Sequence, residues 1–220
     1  MTKEERFAGV LDYFSTHQPD AKTELNYKDG YQLLVAVMLS AQCTDKRVNM
    51  TTPAFYARYP DVESLSKATV DEVFPLIKSI SYPNSKAKHL VAAAKMIVEK
   101  FHHVIPATTE ELEQIPGVGR KTANVLASCL FNQPKMAVDT HVFRVAARLG
   151  LTTNAKNPLQ TEMQLIKHIP VNQIATAHHW LILHGRYVCV ARHPKCDICV
   201  IKQFCKYYEK NFGTTLNLKK

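Results

Sequence analysis

Apolar positions recur at helical spacing along almost the whole chain. Phe7, Val10, Leu11 and Phe14 follow the i, i+3, i+4, i+7 pattern and predict an amphipathic helix over Glu5–His17. Leu90, Ala93, Ala94 and Ile97 predict a second, capped by Asn84 or Ser85 and running through Lys100. Ala123, Val125, Leu126 and Leu130 mark a third over 121–132, and further helices are expected at 139–149, 158–168 and 172–185. Tyr31 to Leu39 is apolar without alternation, so Asp29-Gly30 reads as a turn into a buried helix rather than a hairpin. Thr69-Val70-Asp71-Glu72 and Thr108-Thr109-Glu110-Glu111 both have capping-box spacing, in which Thr and Glu satisfy free amides reciprocally. No alternating run makes a strand, no repeat is visible, and only 7 Gly argue against a protein of many tight β-turns. The fold class is all-α.

At 220 residues there is room for one large or two small domains. Lys and Arg number 28 against 19 Asp and Glu, a net charge of +9. A pI of about 9.2 is the electrostatic footprint of a nucleic-acid binder, or simply a solvated basic surface. The hydrophobic share of 46% and charged share of 21% exclude wholesale disorder. Met1-Thr2-Lys3-Glu4-Glu5-Arg6 lacks the apolar run of a signal peptide. The longest apolar stretch, Leu33 to Leu39, is far short of the ~20 residues that span a bilayer. An intracellular protein with no membrane partner is expected, in the cytoplasm or nucleoid if bacterial. There its 6 Cys would stay reduced, so their spacing carries the information. Cys43 and Cys129 stand apart on predicted helices and read as small buried hydrophobes.

Two stretches carry candidate chemistry. In Leu112-Glu113-Gln114-Ile115-Pro116-Gly117-Val118-Gly119-Arg120-Lys121-Thr122-Ala123-Asn124, a short capped helix runs into a Pro-Gly-Val-Gly turn and a second helix leaves it. The glycines permit positive φ and leave the backbone bare, so amides beside a helix N-terminus can hold a phosphodiester, with Arg120 and Lys121 adding charge. Near the C-terminus, Cys189, Cys196, Cys199 and Cys205 pack four thiols into seventeen residues. One Cys-x2-Cys knuckle flanked by single cysteines suits the corners of an iron–sulfur cube better than the usual paired knuckles of zinc, although spacing alone leaves zinc open.

These segments, with Ala137-Val138-Asp139-Thr140-His141-Val142-Phe143-Arg144 and His179-Trp180-Leu181-Ile182-Leu183-His184-Gly185-Arg186-Tyr187, closely resemble endonuclease III, of the helix–hairpin–helix DNA glycosylase superfamily. The resemblance runs in order through nearly the whole chain. It implies two helical domains: a six-helix barrel over 23–133 with the helix–hairpin–helix near 108–128, and a cluster domain made of 1–22 and 134–220. It implies a [4Fe–4S] cluster on the four cysteines, and double-stranded DNA with damaged bases or abasic sites as partner. A monomer is expected. The implied activity is a bifunctional DNA glycosylase and abasic-site lyase acting on oxidised pyrimidines. The family's catalytic pair falls on Lys121 and Asp139. A neutral Lys121 amine can attack C1′ and form a Schiff base, which permits β-elimination. Asp139 can cap the helix that follows it and present a carboxylate to developing positive charge. Two other readings are a monofunctional mismatch glycosylase and a non-catalytic DNA-binding protein. Lys121 argues against the first, as does the chain's end about fifteen residues after Cys205, where the first would carry a further domain. Lys121 with Asp139 eighteen residues later argues against the second.

Leu39-Ser40-Ala41-Gln42-Cys43-Thr44-Asp45 resembles the segment that reaches into the duplex, which places Gln42 in the gap left by an extruded base. One stretch departs from the family pattern. In Ser79-Ile80-Ser81-Tyr82-Pro83-Asn84-Ser85-Lys86-Ala87, Ser81 replaces the usual Gly and Pro83 the usual Tyr, so Tyr82 falls where relatives carry an apolar wedge. DNA contacts are thus expected from Gln42, Tyr82, Gly117, Val118, Gly119 and Arg120. Phosphate-gripping charge is expected also from Arg144 and Arg148, and from Arg192, Lys195, Lys202 and Lys206 around the cysteines.

Overall fold

The computed structural model describes residues 1–213, which contain twelve α-helices and no strand. Two compact units divide the chain: Glu24–Gln133 forms one, and Met1–Thr23 joins the chain from Pro134 onward to form the other.

The continuous unit is organised round its most apolar segment. Helix α2 (Gly30–Ser40) begins at Asp29, whose carboxylate accepts from the Gln32 amide, and every residue from Tyr31 to Leu39 except Gln32 is buried. Only a helix enclosed by others can bury a nearly continuous apolar run. Its neighbours are α3 (Asp45–Arg58), α6 (Pro83–Phe101) and α8 (Arg120–Phe131). The short helices α4 (Val62–Ser66) and α5 (Val70–Ile77) pack on α6, and α7 (Thr109–Leu112) on α8. Leu33, Leu39, Val48, Phe55, Ile77, Ile97 and Leu126 are fully enclosed in this core.

The other unit closes round aromatic residues of α1 (Lys3–His17). Phe14 stacks on Trp180 at 5.9 Å, and the indole donates to the Gln18 carbonyl at 2.7 Å. Trp180 lies on α11 (Ile174–Tyr187), which packs against α9 (Thr140–Leu149); α10 (Pro158–His168) and α12 (Lys206–Phe212) complete the unit. On α9, Val142, Val145, Ala146 and Leu149 turn one apolar stripe inward.

Local chemistry departs from the sequence reading in three places. Helix α6 starts at Pro83 and neither Asn84 nor Ser85 caps it: the cap is Tyr82, left-handed at φ 56°, without a side-chain hydrogen bond. Proline's fixed φ and missing N–H suit the first helical position, which sets the boundary upstream of both polar residues. At Thr69 the capping box is complete, whereas the Glu111 carboxylate accepts from the Thr108 hydroxyl at 2.6 Å, leaving half a box. Cys43 lies in the bend between α2 and α3 rather than on a helix, and both it and Cys129 are only partly buried.

Candidate functional site

The hairpin between α7 and α8 turns on Gly117, at φ 82°. A β-carbon there would lie 2.8 Å from His89 Cβ, so conformation and space both demand glycine. Gly119 differs. It is the N-cap of α8 at an ordinary φ of −99°, and a β-carbon on it would meet no protein atom within 4 Å. No side chain caps α8, and the start of an uncapped helix, with its dipole, suits an anion. Val118 is buried beneath the turn, while Arg120 and Lys121 are exposed at the mouth of the helix.

In the same unit, Gln42 and Tyr82 are exposed and both hold left-handed backbone, at φ 54° and 56°. Between their loops sits a residue the sequence did not single out. Lys86 is buried, and its Nζ donates to the carbonyls of Leu39 at 2.8 Å and Ala41 at 2.6 Å.

Asp139 belongs to the other unit and begins α9. Its Oδ1 accepts from the His141 and Val142 amides, each at 2.8 Å, and its Oδ2 lies 2.9 Å from His141 Nδ1. The carboxylate is thereby fixed by the helix it starts.

The four clustered cysteines, none of them in a disulfide, line one pocket with Leu149 and His184. The chain enters from α11 with the Cys189 amide donating to the His184 carbonyl at 2.7 Å, and returns through a turn in which Cys199 N donates to Cys196 O at 3.3 Å. Burial pushes the Cys199 thiol up to about 11, and neighbouring sulfurs push the same way; Cys196 and Cys205 are also raised, first by burial. Clustered thiols whose ionisation is opposed in this way form a donor set suited to a cationic metal group, which removes the penalty by binding the thiolates. His184, which burial lowers to about 4, stands with Nε2 3.8 Å from Cys199 Sγ.

Two of the expected phosphate contacts are corrected here. Arg144 donates to the carbonyls of Cys189 at 3.2 Å and Gly185 at 2.9 Å, and Arg148 to those of Val190 at 2.7 Å and Ala191 at 2.9 Å. Both guanidiniums hold the cysteine loop to α9. Lys202 likewise donates to the Asp197 carbonyl at 3.0 Å. Arg192, Lys195 and Lys206 are exposed.

A family model described as HhH-GPD superfamily base excision DNA repair protein matches residues 35–170. A second, for the iron–sulfur binding domain of endonuclease III, matches residues 189–205. The fold and these matches define a DNA repair protein of the helix–hairpin–helix base-excision class. Within that class, the chain belongs to the endonuclease III family. It is 49% identical to endonuclease III of Rickettsia felis over 90% of this chain and 93% of that one, and 41% identical to that of Escherichia coli K12 over 91% and 95%. It superposes on the structure of a trapped endonuclease III–DNA covalent intermediate with a TM-score of 0.90 at 37% identity, over 96% of this chain and 99% of that one. A thermostable thymine-DNA glycosylase, at 21% identity and a TM-score of 0.81, shares the fold. The chain is accordingly a DNA-binding base-excision glycosylase with abasic-site lyase activity that carries a [4Fe–4S] cluster. Among the described residues, no helix is long and apolar enough to cross a membrane.

Proposed function

We propose that Lys121 is the nucleophile of this glycosylase–lyase, that Asp139 is its carboxylate, and that its substrates are duplexes holding an oxidised pyrimidine or an abasic site. The observation that carries the reading is the placement of Lys121: an exposed amine in the first turn of α8, directly past a glycine turn and at a helix start that no side chain caps. A nucleotide must leave the stack before its C1′ can be attacked. The Lys121 amine then bonds C1′ while the C1′–base bond breaks, and the base leaves with that electron pair and gains a proton. The nitrogen loses a proton, the C1′–O4′ bond of the sugar ring breaks, and O4′ leaves with that electron pair and takes up a proton, which gives a protonated imine between Lys121 and C1′. A proton then leaves C2′, the C3′–oxygen bond breaks and the 3′ phosphate departs. Asp139 stabilises the positive charge that develops on the sugar. Gly117, Val118, Gly119 and Arg120 hold the backbone, Gln42 fills the vacated space and Tyr82 wedges the stack. Cys189, Cys196, Cys199 and Cys205 would hold the cluster, whose iron–thiolate bonding would cross-link the loop. The enzyme works as a monomer, at the nucleoid in a bacterium.

A relative's covalent DNA intermediate supports a nucleophile of this kind. Incubation of the protein with a duplex carrying one abasic site and borohydride is expected to leave a protein–DNA adduct. Lys121→Ala should abolish it, and an unchanged yield in that variant removes the assignment. A panel of duplexes with one lesion each, scored for base release, tests the substrate class.

A further inference from the structure

Lysine is among the residues least often buried, because removing an ammonium from water needs compensation. Lys86 is 7% exposed and finds its compensation in the carbonyls of Leu39 and Ala41. These lie at the C-terminus of α2, where a helix leaves its last carbonyls without intrahelical partners and where its dipole favours a cation. We propose that Lys86 is a positioning residue for damage search: its ammonium ties the end of α2 to the start of α6 and so holds Gln42 and Tyr82 as one probing edge. This rests on the reading of those two residues as duplex probes.

Three observations converge on it. Gln42 directly follows Ala41, one of the two clamped carbonyls, and holds φ 54°. A non-glycine residue keeps left-handed backbone only where its surroundings over-determine it. Tyr82, also left-handed at φ 56°, stands one helical turn before Lys86, and its carbonyl accepts the Lys86 amide at 3.1 Å. One turn further along α6, His89 packs with Met38 of α2 against Gly117 of the hairpin. The clamp therefore lies where three segments proposed to meet DNA come together. Burial lowers the pKa of Lys86 from its ordinary value, so the two carbonyls favour a charge that its surroundings oppose.

The alternative is a core lysine that contributes to stability alone. The two are separated by Lys86→Met, Gln42→Ala and the double variant, each purified with its cluster. Single-turnover base release is measured on duplexes with one oxidised pyrimidine opposite guanine and opposite adenine, beside the melting temperature. Lys86→Met, which keeps the apolar stem, is expected to slow release about tenfold and to weaken the opposite-base preference as Gln42→Ala does. The double variant should be no slower than the slower single one, since residues acting as a unit are not additive. Losses that multiply, or a folded Lys86→Met with wild-type rate and preference, overturn the clamp while leaving Gln42 as a probe. A Gln42→Ala variant with wild-type rate and preference overturns the probe reading and the clamp with it. Where Lys86→Met does not fold, Lys86→Gln, which is uncharged and too short to bond both carbonyls, replaces it. A smaller loss of rate and the same weakening of opposite-base preference are then expected, and wild-type rate and preference again overturn the clamp.

Discussion

Gly117 and Gly119 stand two residues apart and answer to different constraints. Gly117 combines positive φ with a neighbour 2.8 Å from where its β-carbon would be, so the fold itself requires it. Gly117→Ala should lower stability by about 1–3 kcal/mol, measured by denaturant unfolding. Gly119 has neither constraint. Gly119→Ala should therefore change stability by less than about 1 kcal/mol, the range of an N-cap change, while weakening duplex binding clearly. A variant that binds DNA as the wild type does would remove Gly119 from the phosphate contacts. Both glycines read alike in the sequence, since φ and the space round a β-carbon exist only after folding. Lys86 is the sharper case of the same limit. Nothing local marks it among the chain's cations, because its burial appears only when α2 and α6 pack.

At the scale of elements, periodicity and cap chemistry made most helices legible. Asp29, Thr69 and Asp139 cap α2, α5 and α9 through their own side chains, as short-range chemistry dictates. The start of α6 escapes cap chemistry, because Pro83 sets that boundary without a polar cap. Asp139 joins two roles that can be parted. Asparagine is as good an N-cap as aspartate, so Asp139→Asn should melt within a few degrees of the wild type yet lose base release by at least about a hundredfold, the scale of removing one electrostatic stabiliser. Asp139→Ala should lose both, with about 1 kcal/mol of stability. An active Asp139→Asn would reduce the residue to a cap. Helix α11 supplies a pH dependence. His179 is lowered from 6.5 to about 4 by burial and then by Arg186. The unfolded chain takes a proton on it below about pH 6.5 and the folded chain only near 4, so unfolding takes up a proton in between. Stability from this group is complete above that window and falls as pH drops through it, by about 2 kcal/mol at pH 5. Denaturant titrations at pH 7.5 and 5 check this, and His179→Gln should reduce the difference by about that amount, while the similarly lowered His184 keeps its own share.

Over the whole molecule, the charge of +9 pointed to nucleic acid but overstated how many cations reach it. Arg144 and Arg148 bind backbone carbonyls beside the cysteine pocket, Lys86 binds two at the end of α2, and Arg6 bonds Phe204 O and the Glu209 carboxylate. These guanidiniums and this ammonium stabilise loops and helix ends; Arg192 and Lys195 stand exposed on the segment between Cys189 and Cys196. Salt dependence distinguishes the two populations, because each neutralised phosphate adds about 0.9 to the slope of log K against log salt. Arg192→Ala and Lys195→Ala should each reduce that slope by about one, nearly equally on damaged and undamaged duplexes, since phosphate contacts carry no sequence information. Lys86→Met should weaken binding to damaged duplex while leaving the slope unchanged, because it removes a charge that meets carbonyls instead of phosphate. Fluorescence anisotropy of a labelled duplex over a salt series reads both quantities. A slope that fell in Lys86→Met, or stayed constant in both Arg192→Ala and Lys195→Ala, would reverse the division between cations that hold the fold and cations that hold DNA.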